Sequence, residues 1–348
     1  PTVGFVMVGS KKDAGYNQAV DVAAATVGKE LGVKVLTADQ IPPENNNVTQ
    51  TMQAMVDKGA TVIFATSYGY LPYAQKFAES HPDVVVLHQG GYVEDAFPAN
   101  FGTYWGGESY DPVSLGGIAA GGTTKTDKLG GFIYAFPISQ TIANINAFAL
   151  GAQKVNPPDA ETYVVNTSAW CDPIKQKQAV STLLAEGVDV FSDHQDCQAT
   201  IVQAVKSAGK YFVGYHYDAN ELIPGGWLTG SAWNWAPRCT RGSSRPSSPA
   251  GSRAASSTRT GSARSRRGDN PIELASFGSA VDGDLQAEIT AAEDDLKKPD
   301  ASTFVGPIYC QDGTVLVPPE GEVATYEDVN TTFTCLVKGV VGGTLPAM

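Results

Sequence analysis

Two His-x-Asp triplets stand at the ends of successive apolar runs. His194-Gln-Asp196 follows Val188-Asp-Val-Phe-Ser, and His216-Tyr-Asp218 follows Lys210-Tyr-Phe-Val-Gly. An imidazole near a carboxylate is the pairing that general acid–base chemistry uses, and three or four such side chains converging at about 2 Å would hold zinc. Polar side chains at strand ends also serve as hydrogen-bond partners for a bound molecule. The aromatic residues favour that second use. Tyr16, Tyr68, Tyr70, Trp105, Phe136, Trp170, Tyr215, Trp233 and Trp235 all fall at expected strand tips or crossings. In a core they would be spread along the strands instead. A flat ligand held between such rings gains roughly 1–3 kcal/mol per stacked face, while neighbouring Asp and Asn side chains read its polar edge.

The elements that must position these residues are legible from periodicity. The stretch Glu161 to Asp218 alternates three apolar runs with two helical segments, Ile174 to Glu186 and Ala199 to Ala208. Strand, helix, strand, helix, strand at this spacing is the signature of a parallel sheet with crossover helices, whose ligands sit outside the carboxyl ends of the strands. Residues 2–8, 33–38, 61–66 and 84–89 read as strands, with helices over 17–31, 48–58 and 71–80 between them. A short strand from Phe101, a helix over 109–121, a strand over 131–136 and a helix over 138–154 precede the opening stretch. Gly226 to Trp235 reads as a strand returning toward the first half. Two doubly wound halves with a return crossing mean two lobes around a cleft: residues 1–106 plus about 236–284, and 107–235 plus about 285–348. In the tail, Asp312-Gly313 between apolar stretches signals a hairpin.

The net charge of −12 argues against nucleic acid or an anionic membrane surface as partner. All eight arginines lie between Arg238 and Arg267, in a window without Asp, Glu, Lys, Val, Ile, Leu or Phe. Setting those eight charges against −12 leaves −20 on the rest of the chain. The window reads as a disordered basic linker or, since flanking segments are well patterned, as a frame-shifted stretch. No run of about 18 apolar residues is present. Pro1 opens directly into a strand, so the chain is either cytosolic or numbered after removal of a targeting segment. Cys171 with Cys197 and Cys310 with Cys335 are placed to form disulfides, or to stay as small core residues; Cys239 falls in the basic window.

Familiar catalytic and cofactor motifs are missing. There is no GxGxxG after a strand, no GxxxxGK[ST], no GxSxG and no HExxH. The pair Gly90-Gly91 reads as a turn. His81 precedes Pro82 at a helix exit, and His88 ends a strand. No cofactor and no resident metal are expected.

Gly4-Phe-Val-Met-Val-Gly with Asp13-Ala-Gly-Tyr-Asn17 resembles the opening of the basic membrane protein family, the purine-nucleoside-receptor-type lipoproteins of ABC transporters. Ile63 to Tyr70, Ala135 to Ile138, Asn146 to Gly151, Trp170 to Pro173, Gly214 to Asp218 and Gly306 to Tyr309 through Gly313 are similar to the same family. The resemblance covers nearly the whole chain except 238–267. It implies a type I periplasmic-binding fold, two lobes joined by a three-segment hinge, held outside the cytoplasmic membrane by an N-terminal lipid that lies beyond this sequence. It also implies a purine base or nucleoside between Tyr16 and Trp170. Asp13, Asn17, Ser67 and Tyr68 would bind from the first lobe, and Phe136, Asp172, His194, Asp196, Tyr215, Asp218 and Trp233 would line the second. Nucleoside-binding members place a ribose-holding lysine where this chain has Trp233, which tilts the expectation toward a free base.

The expected function is therefore ligand capture for an ABC permease, without catalysis. Sugars and small cationic ligands are alternatives, because aromatic faces beside Asp13, Asp172, Asp196 and Asp218 suit both. A nucleoside hydrolase using His194 or His216, and a sensor domain that hands its closure to a partner, are the other classes left open.

Overall fold

The computed structural model describes residues 1–90, 97–104, 108–126, 128–156, 160–243, 271–298, 301–319 and 322–343. The chain groups into two units, residues 1–107 with 234–271 and residues 108–233 with 272–348, so it passes between them three times. Trp105 and residues 244–267 of the basic window lie outside the described residues.

In the first unit, β1 (Thr2–Met7), α1 (Tyr16–Leu31), β2 (Lys34–Ala38), α2 (Asn47–Val56), β3 (Ala60–Thr66), α3 (Leu71–Ser80), β4 (Val85–Gln89) and β5 (Phe101–Tyr104) follow one another. The sheet runs β2-β1-β3-β4-β5, with every neighbouring pair parallel. β1 and β3 are unbroken apolar runs because both of their faces are buried, as a parallel sheet covered by helices requires. β2 stands at the edge, and all of its residues are partly or fully exposed. Ala19, Val20, Ala23, Ala24 and Val27 give α1 its buried stripe, and Gly32 stops the helix in the left-handed conformation at φ 61°. The helix Ala236–Ser243 packs against α1 and buries Cys239. Arg238 to Ser243, assigned above to a linker, are therefore helical, because Cys239 and Ser243 give that segment a buried side.

In the second unit, α4 (Tyr110–Thr123), β6 (Lys128–Tyr134), α5 (Ser139–Val155), β7 (Glu161–Asn166), α6 (Pro173–Ala185), β8 (Val190–His194), α7 (Ala199–Ser207), β9 (Tyr211–His216) and β10 (Trp227–Trp233) are followed by β11 (Ile272–Leu274). The sheet order is β11-β10-β9-β8-β6-β7, with the short strand Val340–Val341 beyond β7. All pairs are parallel except β10 with β11. That antiparallel pairing draws Ile272 to Leu274 into this unit, whereas the sequence division had carried the first lobe to about residue 284. α4 and α5 cross closely: a Cβ on Gly117 would come within 2.2 Å of the Phe148 carbonyl oxygen, and one on Gly151 within 2.0 Å of that of Ser114. Only glycine allows this approach; α4 packs chiefly on β10 and β9, and α5 on β6.

The strand order reverses between β6 and β8, so the carboxyl ends of these two strands frame the switch point where open α/β sheets bind ligands. The expected hairpin forms between Ile308–Tyr309 and Val315–Val317, turning at Gly313 with φ 85°. Both candidate disulfides, Cys171–Cys197 and Cys310–Cys335, are present, and Cys239 is a free buried thiol.

Candidate functional site

At the carboxyl edge of the second unit's sheet, rings from five consecutive strand ends touch in series. Phe136, just past β6, meets Trp170, in the loop after β7, edge to face at 5.3 Å. Trp170 lies 5.7 Å from His194 at the end of β8, and His194 lies 4.7 Å from Tyr215 and 5.8 Å from His216 on β9. Trp233, ending β10, completes the series 6.3 Å from His216. Phe136 is 37% exposed and Trp170 half-buried, whereas His194, Tyr215, His216 and Trp233 are buried. The result is an aromatic wall with its accessible rings at the β6–β7 end.

Behind this wall runs a polar network that the sequence reading missed. Gln140, in the first turn of α5, donates to Ser109 Oγ at 3.3 Å and to the Tyr215 hydroxyl at 3.4 Å. Ser109 donates to Asn144 Oδ1 at 3.1 Å, and the Asn144 amide nitrogen lies 3.4 Å from His194 Nδ1. The available signal was a fully buried Asn in the apolar stretch of α5, which needs partners wherever it lies. Gln195, also fully buried, accepts from the Ala135 amide at 3.0 Å and donates to the Ala169 carbonyl at 3.1 Å in the orientation that satisfies its amide. It thereby ties together the residues preceding Phe136 and Trp170.

Burial sets the protonation of the wall. It pushes the His194 imidazole down to about 3, and it lowers His216 well below the ordinary histidine range, with His194 adding to the effect. The Tyr215 phenol is raised by burial. Both imidazoles are neutral at physiological pH. His216 also carries a φ of 75°, a conformation that costs a non-glycine residue energy and persists only where its surroundings impose it.

The carboxylates named from sequence are engaged in local structure. Asp172 caps α6, its Oδ1 accepting from the Ile174 and Lys175 amides at 3.0 and 3.1 Å. Asp218 accepts from the Asn220 amide at 3.1 Å and from the amide and hydroxyl of Ser276. Asp196 is half-buried, and its backbone amide donates to the Trp170 carbonyl at 2.9 Å. Among the described residues, no three His, Cys, Asp or Glu side chains are grouped to hold a metal ion.

The first unit's loops show the same division of labour. Asp13 is buried, and its two oxygens accept four N–H bonds of 2.8–3.0 Å, from the amides of Gly15, Asn17 and Gln18 and from the Asn17 side chain. Burial raises its carboxyl from the usual range, against the opposing pull of these donors. Asn17 Oδ1 accepts from the Gly9 amide at 3.0 Å. This pair shapes the loop that leads into α1, where Tyr16 is buried. Ser67 is half-buried, and its carbonyl accepts from His88 Nε2 at 2.9 Å. Tyr68 is 66% exposed, while Tyr70 is fully buried with its hydroxyl on the Ile41 carbonyl. Among the described aromatics of the first half, Tyr68 is the one presented to solvent.

A family model described as ABC transporter substrate-binding protein PnrA-like matches residues 1–241. The chain belongs to the PnrA-like family of ABC transporter substrate-binding proteins. The match ends inside the basic window, where the resemblance seen in the sequence also breaks. A putative ABC transporter glucose-binding protein of Haloferax volcanii is 32% identical over 232 residues, covering 66% of this chain and 57% of that protein. A purine-binding protein of Brucella abortus is 30% identical over 240 residues, 68% of this chain and 65% of its own length. The matches thus span less than two thirds of either relative. Among solved structures, an ABC transporter solute-binding protein from Conexibacter woesei superposes with a TM-score of 0.64 at 18% identity, covering 86% of this chain and 97% of that one. The periplasmic-binding fold expected from the sequence is borne out.

Proposed function

We propose that this PnrA-like protein captures a purine base outside the cytoplasm and delivers it to an ABC permease. The observation that carries the reading is the continuous ring series Phe136–Trp170–His194–Tyr215–His216–Trp233 at the switch point of the second unit's sheet. Flat heteroaromatic bases suit such a wall, because each stacked face contributes roughly 1–3 kcal/mol without regard to ring substituents. Trp233 donates its indole N–H to His216, so the position where nucleoside-binding members carry a lysine serves a neighbouring ring instead of a ribose. Free base is therefore favoured over nucleoside. The purine-binding relative supports this reading, and the two disulfides suit an oxidising, extracytoplasmic compartment.

A hydrolase is disfavoured by the histidines. An imidazole held near 3 by burial is a weak base at neutral pH, far from the value that proton abstraction needs. A sugar is the second reading, favoured by the glucose-binding relative and by the suitability of aromatic faces for pyranose rings. Thermal unfolding against adenine, hypoxanthine, guanosine, glucose and a small amine tests both. Ligand that binds only the native state raises the midpoint. A rise of several degrees with bases alone supports base capture. A rise with glucose alone overturns it.

A further inference from the structure

The sequence carries three Asn-x-Ser/Thr triplets: Asn47-Val-Thr49, Asn166-Thr-Ser168 and Asn330-Thr-Thr332. In a family that works outside the cytoplasm, this triplet is an acceptor for N-linked glycans, provided that it lies on an accessible loop. The fold separates the three. Asn47 is half-buried and opens α2, and residues two apart on a helix do not face each other. Asn330 lies within the helix Tyr326–Thr331. Asn166 ends β7, where the chain leaves the sheet, and both Asn166 and Ser168 are exposed. The short strand Val340–Val341 pairs with β7 at Thr162 and Tyr163 and does not extend to Asn166.

At Asn166 the two reacting partners of the triplet already touch. The Ser168 amide and the Ser168 hydroxyl each lie 2.7 Å from Asn166 Oδ1. A backbone N–H only donates, so the arm of the carboxamide that faces Ser168 is its oxygen. A carboxamide oxygen only accepts, so the hydroxyl donates to it. Among the described residues no hydrogen bond engages the other arm, Nδ2. Ser168 holds a φ of 51°, a conformation that costs a non-glycine residue energy and persists where its surroundings impose it. The hydroxyl draws charge onto Oδ1 and eases loss of a proton from Nδ2, the nitrogen that attacks.

We propose that Asn166 is an N-glycosylation site, selected over Asn47 and Asn330 by its loop geometry. The donor is an oligosaccharide joined through its anomeric carbon to a polyprenyl phosphate carrier. Asn166 Nδ2 bonds to that carbon while the carbon–oxygen bond to the carrier breaks. The carrier phosphate leaves with the electron pair, and one Nδ2 proton passes to a base of the transferase. The glycan stands at the start of the loop that carries Trp170, whatever ligand the aromatic wall takes.

Peptide mapping by mass spectrometry of the protein isolated from its own cells, reduced and digested, tests the assignment, with fragmentation that keeps sugars attached. Ser168→Ala, made in the same cells, keeps the nitrogen and removes the hydroxyl. The expected result is a wild-type Asn166 peptide shifted by whole sugar residues in most copies, with the shift localised to Asn166. The Asn47 and Asn330 peptides should be unshifted. Ser168→Ala should lose the shift while unfolding close to the wild-type midpoint, because the side chain is exposed. An unmodified Asn166 in the wild-type protein overturns the site. Sugar on Asn47 or Asn330 overturns selection by the loop. A glycan that persists on Asn166 in Ser168→Ala overturns the part given to the hydroxyl. If Ser168→Ala does not accumulate, the wild-type map decides alone.

Discussion

The backbone amide of Asp196 donates to the carbonyl of Trp170 at 2.9 Å, and the next residue on each side, Cys171 and Cys197, closes a disulfide. The half-buried tryptophan of the wall is thus clamped from β7's loop to the end of β8. The bridge closes a span of 26 residues, for which chain entropy alone is worth about 3 kcal/mol. Cys171→Ser with Cys197→Ser should lower the stability measured by urea unfolding by about 2–4 kcal/mol. It should also weaken ligand binding at temperatures where the variant is still folded. A variant that loses stability but binds as tightly as wild type would show that the clamp does not position Trp170.

The two accessible rings separate binding from folding. Phe136 is 37% exposed and Trp170 half-buried, so truncating either removes a ligand face with modest loss of core. Phe136→Ala and Trp170→Ala should each weaken base binding by roughly 1–3 kcal/mol. In the first unit, Tyr68→Ala should leave the unfolding midpoint close to wild type, because the side chain is 66% exposed. Calorimetric titration beside thermal unfolding checks all three. Unchanged affinity in both second-unit variants would remove the wall as the binding surface.

Much of this architecture was legible because parallel sheets buried on both faces leave unbroken apolar runs, and β1 and β3 are such runs. The aromatic strand tips were legible for the same reason: a ring placed immediately after such a run stands at the carboxyl edge of the sheet. What the sequence hid was the employment of its polar residues. Asp13, Asn17, Asp172 and Asp218 were expected to read a ligand; in the structure each also carries a structural hydrogen bond, within the loop before α1, at the start of α6 and, for Asp218, from the Ser276 amide. An Asp before a helix looks the same in sequence whether it caps that helix or faces a ligand. Ser109, Gln140 and Asn144 were hidden for the converse reason. They sit within helical segments whose orientation toward His194 and Tyr215 exists only once α4 and α5 have crossed.

Asp13 carries a stability prediction of its own. Its carboxylate satisfies three backbone amides at the start of α1, where helical donors have no partner within the helix. Asp13→Ala should cost about 2 kcal/mol or more in urea unfolding. Affinity should fall together with stability, as for a residue that shapes the binding loop. A variant that binds poorly while unfolding at the wild-type midpoint would instead place Asp13 against the ligand.

Asp193 and His194, adjacent on β8, should give the stability curve opposite slopes with pH. Asp193 is fully buried, and burial raises its carboxyl well above 3.8 against the weaker opposing pull of the Gln195 backbone amide. The folded state then holds this proton more tightly than the unfolded chain does. Its contribution is full below the unfolded value and is lost as pH rises through the folded one. His194 works the other way. Its imidazole falls from 6.5 to about 3 on burial, so its contribution is full above 6.5 and is lost as pH falls toward 3, at about 1.4 kcal/mol per pH unit. Urea midpoints between pH 4.5 and 7.5 for wild type, Asp193→Asn and His194→Asn separate the two. Relative to wild type, Asp193→Asn should gain stability as pH rises, and His194→Asn should gain it as pH falls. A pH-independent difference for Asp193→Asn would mean that its carboxyl titrates alike in folded and unfolded chains, which would overturn the burial-raised carboxyl.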